Sequence, residues 1–203
     1  MNSPYRNLSF CLSVNQLNQL PQDEGCEVAF AGRSNAGKSS AINAITQNRK
    51  LARISKTPGR TQHINFFQLD TTHRVVDLPG YGYAKVPEKI KQHWLALLNA
   101  YLIQRQSLKG IILLMDIRHP LKPFDLQMLS WCQSISMPVH TLLTKSDKLK
   151  HMAATHALNK TRKQLNESYT NITIQLFSAT HHKGLEQVIA KLDEWLQISQ
   201  DNV

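Results

Sequence analysis

Gly32-Arg33-Ser34-Asn35-Ala36-Gly37-Lys38-Ser39 spaces two glycines, a lysine and a hydroxyl in the pattern G-x-x-x-x-G-K-[ST]. Glycines let a backbone curl until successive N–H groups face one point, and such a nest binds phosphate oxygens. Lys38 is expected to reach the β- and γ-phosphates of a nucleoside triphosphate, and the Ser39 hydroxyl to ligate Mg²⁺. The flanks suit this chemistry. Residues 26–31 read as a buried strand and 40–45 as the first turns of a helix, whose positive end adds to the attraction for phosphate.

Three more short segments could complete a nucleotide site. Asp77-Leu78-Pro79-Gly80 ends a strand. The Asp77 carboxylate can hold Mg²⁺ through water, and Gly80 lets a backbone N–H approach the γ-phosphate. Thr144-Lys145-Ser146-Asp147 follows an apolar strand, and Asp147 can accept from both N1–H and the 2-amino group of guanine. Adenine offers neither donor, so such a site rejects it. Lys145 would lay its stem along the base, and Thr144 is a small polar brace where guanine-specific proteins usually carry Asn. Ser178-Ala179 comes one unit later, and its backbone N–H groups would meet guanine O6. Between the first helix and the next strand lies Lys56-Thr57-Pro58-Gly59-Arg60-Thr61, placed as a switch segment whose threonine holds Mg²⁺ only when γ-phosphate is present. Thr57 and Thr61 compete for that part.

Positioning these segments requires alternating strands and helices. Strands are expected at 64–69, 74–78, 110–117, 138–143 and 172–177, and helices at 88–105, 123–132, 151–168 and 184–198. The tight turn at 70–72 makes the first two of these strands antiparallel. The fold class is therefore α/β, a P-loop NTPase of small-GTPase type. Its sheet would be mainly parallel and six-stranded with one antiparallel strand, and helices would cover both faces. Every motif falls at the carboxyl end of a strand or in the loop beyond it, where open α/β sheets bind ligands. Residues 1–22 read as a lead-in strand or short helix packed on a GTP-binding domain at 23–203. Trp94, Trp131 and Trp195 all fall on expected helices, where core packing accounts for them.

The chain of 203 residues can bury a core without staples, and its apolar share of 41% is that of a folded protein. No apolar run approaches a membrane span, and residues 1–10 carry no secretory signal, which points to a cytoplasmic protein. Cys11, Cys26 and Cys132 are scattered and read as reduced thiols. A formal charge of +10 favours a polyanionic partner, RNA by default. The cations cluster in two sets. One comprises Arg49, Lys50, Arg53, Lys56 and Arg60 with Lys85, Lys89 and Lys91, and the other Lys145, Lys148, Lys150, Lys160, Arg162 and Lys163.

Taken together, G-R-S-N-A-G-K-S-S at 32–40, K-T-P-G-R-T-Q at 56–62, D-L-P-G-Y-G-Y-A at 77–84, T-K-S-D at 144–147 and S-A at 178–179 resemble the EngB (YihA/YsxC) family of bacterial ribosome-assembly GTPases, within the translation-factor-type P-loop proteins. The resemblance implies a GTPase acting in maturation of the large ribosomal subunit, through its rRNA or precursor. It also implies an association with cell division and septation, and a monomer away from membranes. It assigns Gly32, Arg33, Ser34, Asn35, Ala36, Gly37, Lys38 and Ser39 to the phosphates, and Ser39 and Thr61 to Mg²⁺. Gly59, Arg60, Thr61, Gln62 and His63 line the switch, and Asp77, Leu78, Pro79 and Gly80 border the γ-phosphate. Thr144, Lys145, Ser146, Asp147, Phe177, Ser178 and Ala179 hold the base.

Hydrolysis is expected to be slow and to rest on Lys38, Thr61 and Gly80. Tyr81 stands where many signalling GTPases place the glutamine that orients the attacking water, and an aromatic ring cannot do that. Some GTPases resembling this one use K⁺, and Asn35 is the candidate ligand for it. Two other readings are an ATP-using P-loop enzyme, opposed by Asp147, and a basic RNA-binding module with a vestigial nucleotide site, opposed by Lys38, Ser39 and Asp77.

Overall fold

The computed structural model describes residues 3–52, 63–81 and 88–198. The expected switch residues Thr57, Gly59, Arg60, Thr61 and Gln62, and the cations Arg53, Lys56 and Lys85, lie outside them.

The strands are β1 (Ser9–Val14), β2 (Cys26–Gly32), β3 (Ile64–Gln68), β4 (His73–Asp77), β5 (Leu108–Asp116), β6 (Val139–Thr144) and β7 (Ile172–Leu176). The helices are α1 (Lys38–Thr46), α2 (Glu88–Gln104), α3 (Pro123–Ser134), α4 (His151–Ser168) and α5 (Leu185–Leu196). They build a seven-stranded sheet of order β1-β3-β4-β2-β5-β6-β7. β3 alone runs against the others, pairing antiparallel with both β1 and β4. The strand count exceeds the expected six because the lead-in supplies β1. β1 is mostly exposed at the sheet edge, and its register shifts between Phe10 and Leu12. Neither a continuous apolar run nor a clean alternation announces it.

Central strands read as continuous apolar runs because both faces are covered. All seven residues of β2 are buried. Along it, Val28 and Phe30 point to the side packed by Ile42 and Ile45 of α1 and by Val188, Leu192 and Leu196 of α5. Ala29 and Ala31 point to the opposite side, against Leu97, Leu98 and Tyr101 of α2 and Met128 and Leu129 of α3. This alternation of period two gives the sheet two cores and fixes which helix lies on which face. No helix among the described residues is long and apolar enough to cross a membrane.

One buried charge breaks the apolar run of β2. Glu27 is fully buried at the strand end remote from the loop after Gly32. Arg105, just past α2, donates to it from Nε at 3.0 Å and Nη2 at 2.6 Å, and Tyr101 Oη donates at 3.0 Å. Arg74 Nη1 adds a third cationic contact at 3.3 Å. The Arg105 guanidinium also donates to the Pro21 and Gln22 carbonyls, so it fastens α2 and the lead-in to the foot of the sheet.

Candidate functional site

Five parallel strands deliver their carboxyl ends to one rim. β2 ends at Gly32, β4 at Asp77, β5 at Asp116, β6 at Thr144 and β7 at Leu176. The phosphate loop, Asp77 to Gly80, Thr144 to Asp147 and Ser178-Ala179 therefore meet there, while the switch motif lies outside the described residues.

The loop from Gly32 to α1 is shaped by local geometry. Gly37 precedes the helix at φ +99°, a left-handed conformation that favours glycine. Asn35 is also left-handed at φ 62°, which asparagine tolerates better than most residues. The Ser34 N–H donates to Tyr81 O at 3.0 Å and the Ala36 N–H to Arg33 O at 2.9 Å. The first N–H groups of α1 have no partner within the helix, so they remain available to an anion.

Lys38 Nζ lies 3.1 Å from Asp77 Oδ1, and both side chains are nearly buried. The pair is a charge contact, since Asp77 Oδ1 accepts no directed hydrogen bond among the described residues. Asp77 thus offers a buried, under-coordinated oxygen beside the loop that carries Ser39. That is the donor chemistry a hard divalent cation takes, so the residues present fit Mg²⁺.

Thr144 acts as the brace. Its buried hydroxyl lies 2.6 Å from Ala36 O and 3.1 Å from Met115 O, which ties the phosphate loop to the ends of β5 and β6. A Thr144→Val variant keeps the shape and leaves the Ala36 carbonyl without its donor. It should lose about 1–2 kcal/mol of unfolding free energy and release GDP faster. An unchanged denaturation midpoint together with unchanged GDP release would remove the brace from the account.

Lys145 stands across the loop. Its Nζ donates to Asn35 O at 2.7 Å and pairs with Asp116 Oδ2 at 2.9 Å. Asp116 also takes Arg118 Nη2 at 2.6 Å, and these bonds hold its carboxyl far below the ordinary range despite partial burial. Sequence reasoning passed over Asp116. Its position at the end of a central parallel strand was the available signal. Lys145 also leaves the set of free surface cations in which the sequence placed it. Lys148, Lys150, Lys160, Arg162 and Lys163 are exposed, as are Arg49 and Lys50.

At the base end, Asp147 Oδ1 accepts from Ser178 Oγ at 2.7 Å. That hydroxyl bond holds the Asp147 carboxyl below its ordinary value, opposed by its partial burial. Of the two backbone donors expected for the base, Ser178 N–H is taken by Lys183 O at 3.0 Å, and the preceding Phe177 N–H by Leu143 O at 2.9 Å. Ala179 N–H has no such partner among the described residues. The Ser178 hydroxyl also accepts from His181 N–H at 3.2 Å.

Tyr81 is buried, and its hydroxyl donates to Asp125 Oδ1 at 3.2 Å. Burial raises the Asp125 carboxyl, which also accepts from Lys122 N–H at 3.0 Å. The tyrosine therefore fixes the chain after Gly80 against α3. Its hydroxyl is turned into the protein, toward α3.

A protein-family model described as "50S ribosome-binding GTPase" matches residues 27–145. The chain is 61% identical over 198 residues to "Probable GTP-binding protein EngB" of Nitrosococcus oceani, a match spanning 98% of this chain and 99% of that protein. It is 54% identical to the protein of the same description from Nitrosomonas europaea, over 98% of this chain and 90% of that one. Among solved structures, one described as a probable GTP-binding protein engB superposes with a TM-score of 0.67 at 20% identity, over 86% of this chain and all of that one. At that identity the last comparison speaks to the fold alone.

Proposed function

We propose, from the premise that this chain belongs to the EngB family of GTP-binding proteins and is a GTPase, that it serves as a nucleotide-gated factor in assembly of the large ribosomal subunit. One observation carries this reading. Phosphate loop, Asp77 and the Asp147–Ser178 pair converge on one rim of the sheet, with the exposed Lys148 and Lys150 following Asp147 in the chain. The matching family description names ribosome binding, and a charge of +10 suits rRNA. An influence on cell division and septation would follow from ribosome supply. Residues 23–203 would form the GTP-binding unit, with 1–22 packed on it.

The residues divide the work as follows. N–H groups of the loop from Gly32 to Ser39, with the start of α1, hold the phosphates. Lys38 exchanges Asp77 for the β- and γ-phosphates. Ser39 and Thr61 would hold Mg²⁺ directly and Asp77 through water, where the cation would supply charge neutralisation at the transferred phosphoryl. Gly59, Arg60, Gln62 and His63 would line the switch. The Gly80 N–H would read the γ-phosphate, so the surface that includes this segment differs between GTP and GDP. Asp147 accepts from N1–H and the 2-amino group of guanine, and Ala179 donates to O6. Ser178 contributes through Asp147 rather than through its own N–H.

With Tyr81 turned inward, hydrolysis rests on positioning by Lys38, Thr61 and Gly80, and the intrinsic rate is low. Asn35 is the candidate K⁺ ligand, since its side chain is exposed at the loop tip. Turnover should fall when Na⁺ replaces K⁺, and Asn35→Ala should abolish the difference. Equal turnover in both salts refutes the K⁺ role.

The function is tested by co-sedimentation with large-subunit precursors, comparing a non-hydrolysable GTP analogue, GDP and no nucleotide across a salt series. Binding confined to the GTP analogue and lost steeply with salt supports docking on rRNA. Binding indifferent to nucleotide, or absent, rejects the gated factor and leaves the GTPase.

A further inference from the structure

Behind the base loop runs a buried polar chain that none of the nucleotide motifs includes. His140 on β6 is 6% exposed and Gln175 on β7 is 7% exposed. The parallel register sets His140 opposite Thr173, so its ring shares a sheet face with Thr173 and Gln175. His140 Nδ1 lies 2.7 Å from Thr173 Oγ1, and Nε2 lies 2.8 Å from Gln175 Oε1. The Gln175 amide nitrogen donates to Gly184 O at 2.7 Å.

Chemistry orders this chain in one direction. Gly184 O only accepts, so the amide nitrogen faces it and the amide oxygen faces the ring. The ring proton therefore sits on Nε2, and Nδ1 accepts from the Thr173 hydroxyl. Burial lowers the His140 pKa and favours the neutral ring, opposed by the bond to Gln175 and by Glu194 and aided by Lys191. Each donor from Thr173 to Gly184 finds an acceptor, and the Gln175 amide nitrogen also donates to Leu176 O at 3.3 Å.

Gly184 closes the loop that begins at Ser178. Its φ is +76°, and a Cβ there would lie 2.3 Å from Leu176 O and 2.5 Å from the Gln175 amide nitrogen. Only glycine fits, and the amide reaches its carbonyl across the space a side chain would fill. At the other end, Ser178 N–H donates to Lys183 O, and the Ser178 hydroxyl meets both Asp147 and His181 N–H. Ala179 is therefore carried on a short loop held at both ends.

We propose that His140 and Gln175 are positioning residues for base recognition: by holding Gly184 O they fix loop 178–184, aim Ala179 N–H at the 6-oxo group of guanine, and so set the preference for a 6-oxo purine. The inference rests on the reading of 178–179 as the base loop. A polar cluster with a merely structural part would change stability and leave discrimination between bases untouched.

The experiment compares GDP with 6-thioguanosine diphosphate. The latter keeps N1–H and the 2-amino group and replaces O6 by a weaker acceptor. Wild-type protein, Gln175→Leu and the double variant His140→Phe/Gln175→Leu are each titrated, with thermal midpoints recorded. The double variant removes both buried polar groups together and leaves the exposed Thr173 hydroxyl to water, which keeps it foldable if the single change is not. Wild type should prefer GDP. Either folded variant should lose about three- to tenfold of that preference, through weaker GDP binding with little change for the thio analogue. A folded variant that keeps the full preference overturns the inference, whatever its thermal midpoint. A wild type that does not distinguish the two ligands overturns the base-loop reading itself, and the inference with it.

Discussion

An Asp147→Asn variant is expected to bind GDP weaker by a factor on the order of 10³ and to turn its preference toward xanthine nucleotides. The carboxylate presents two acceptors to the two guanine donors, while one of its oxygens also takes the Ser178 hydroxyl at 2.7 Å. An amide keeps one acceptor and sets an N–H₂ against a guanine N–H, which is a donor facing a donor. Xanthine carries an oxygen in place of the 2-amino group, and that oxygen suits the amide. Titrations of GDP and xanthosine diphosphate against both proteins decide it, and an Asn variant that still prefers GDP removes Asp147 from the base site. A pH series adds a second check. The folded pKa of Asp147 is depressed, so its stabilisation is complete above the unfolded value and is lost only as pH falls through the folded one. GDP affinity should stay flat from neutral into mild acid as far as this group is concerned.

Arg105→Ala should lower the unfolding free energy by about 3 kcal/mol, with GDP affinity nearly unchanged. The cost comes from Glu27, which is fully buried and keeps only Tyr101 and Arg74 when the bidentate guanidinium is gone. Those two partners place the effect at the low end of the usual range for a broken buried pair, yet it remains a large share of a domain's total of about 5–15 kcal/mol. Replacing both Glu27 and Arg105 by leucine should recover part of the loss, because the fully buried carboxylate is then gone, although Arg74 and the Tyr101 hydroxyl lose that partner. Urea denaturation midpoints measure both variants. A single variant within about 0.5 kcal/mol of wild type contradicts this account of the pair.

The contrast between these two sites bears on what a sequence can announce. The phosphate loop, Asp77 and Thr144 to Asp147 could be found because each is a short run whose chemistry and spacing are contiguous. β2 and β5 could be found because burial on both faces leaves apolar runs at 28–31 and 111–115. The contacts between these segments could not. Lys145 on Asn35 and Asp116, and Thr144 on Ala36, are side-chain bonds whose partners adjoin only after the strands take their order, and Gln175 on Gly184 needs the turn after β7 to fold back. The occupied Ser178 N–H is a similar case, since a short antiparallel bridge to Lys183 leaves no mark in composition. β1 stayed ambiguous because an exposed edge strand with a register shift satisfies no simple period.

Thr144 and Lys145 hold the phosphate loop from the same few residues that lead into Asp147. In the proposed site nucleoside and phosphates would therefore be gripped by a single stiff frame, as the two ends of a divalent ligand on a matched template. Once one end is seated, the other is presented to its own subsite at a high effective concentration. Guanosine and free triphosphate supplied as separate molecules should forfeit that advantage and bind far more weakly than the sum of their contacts suggests, so the covalent link between base and phosphate is itself part of what the protein recognises.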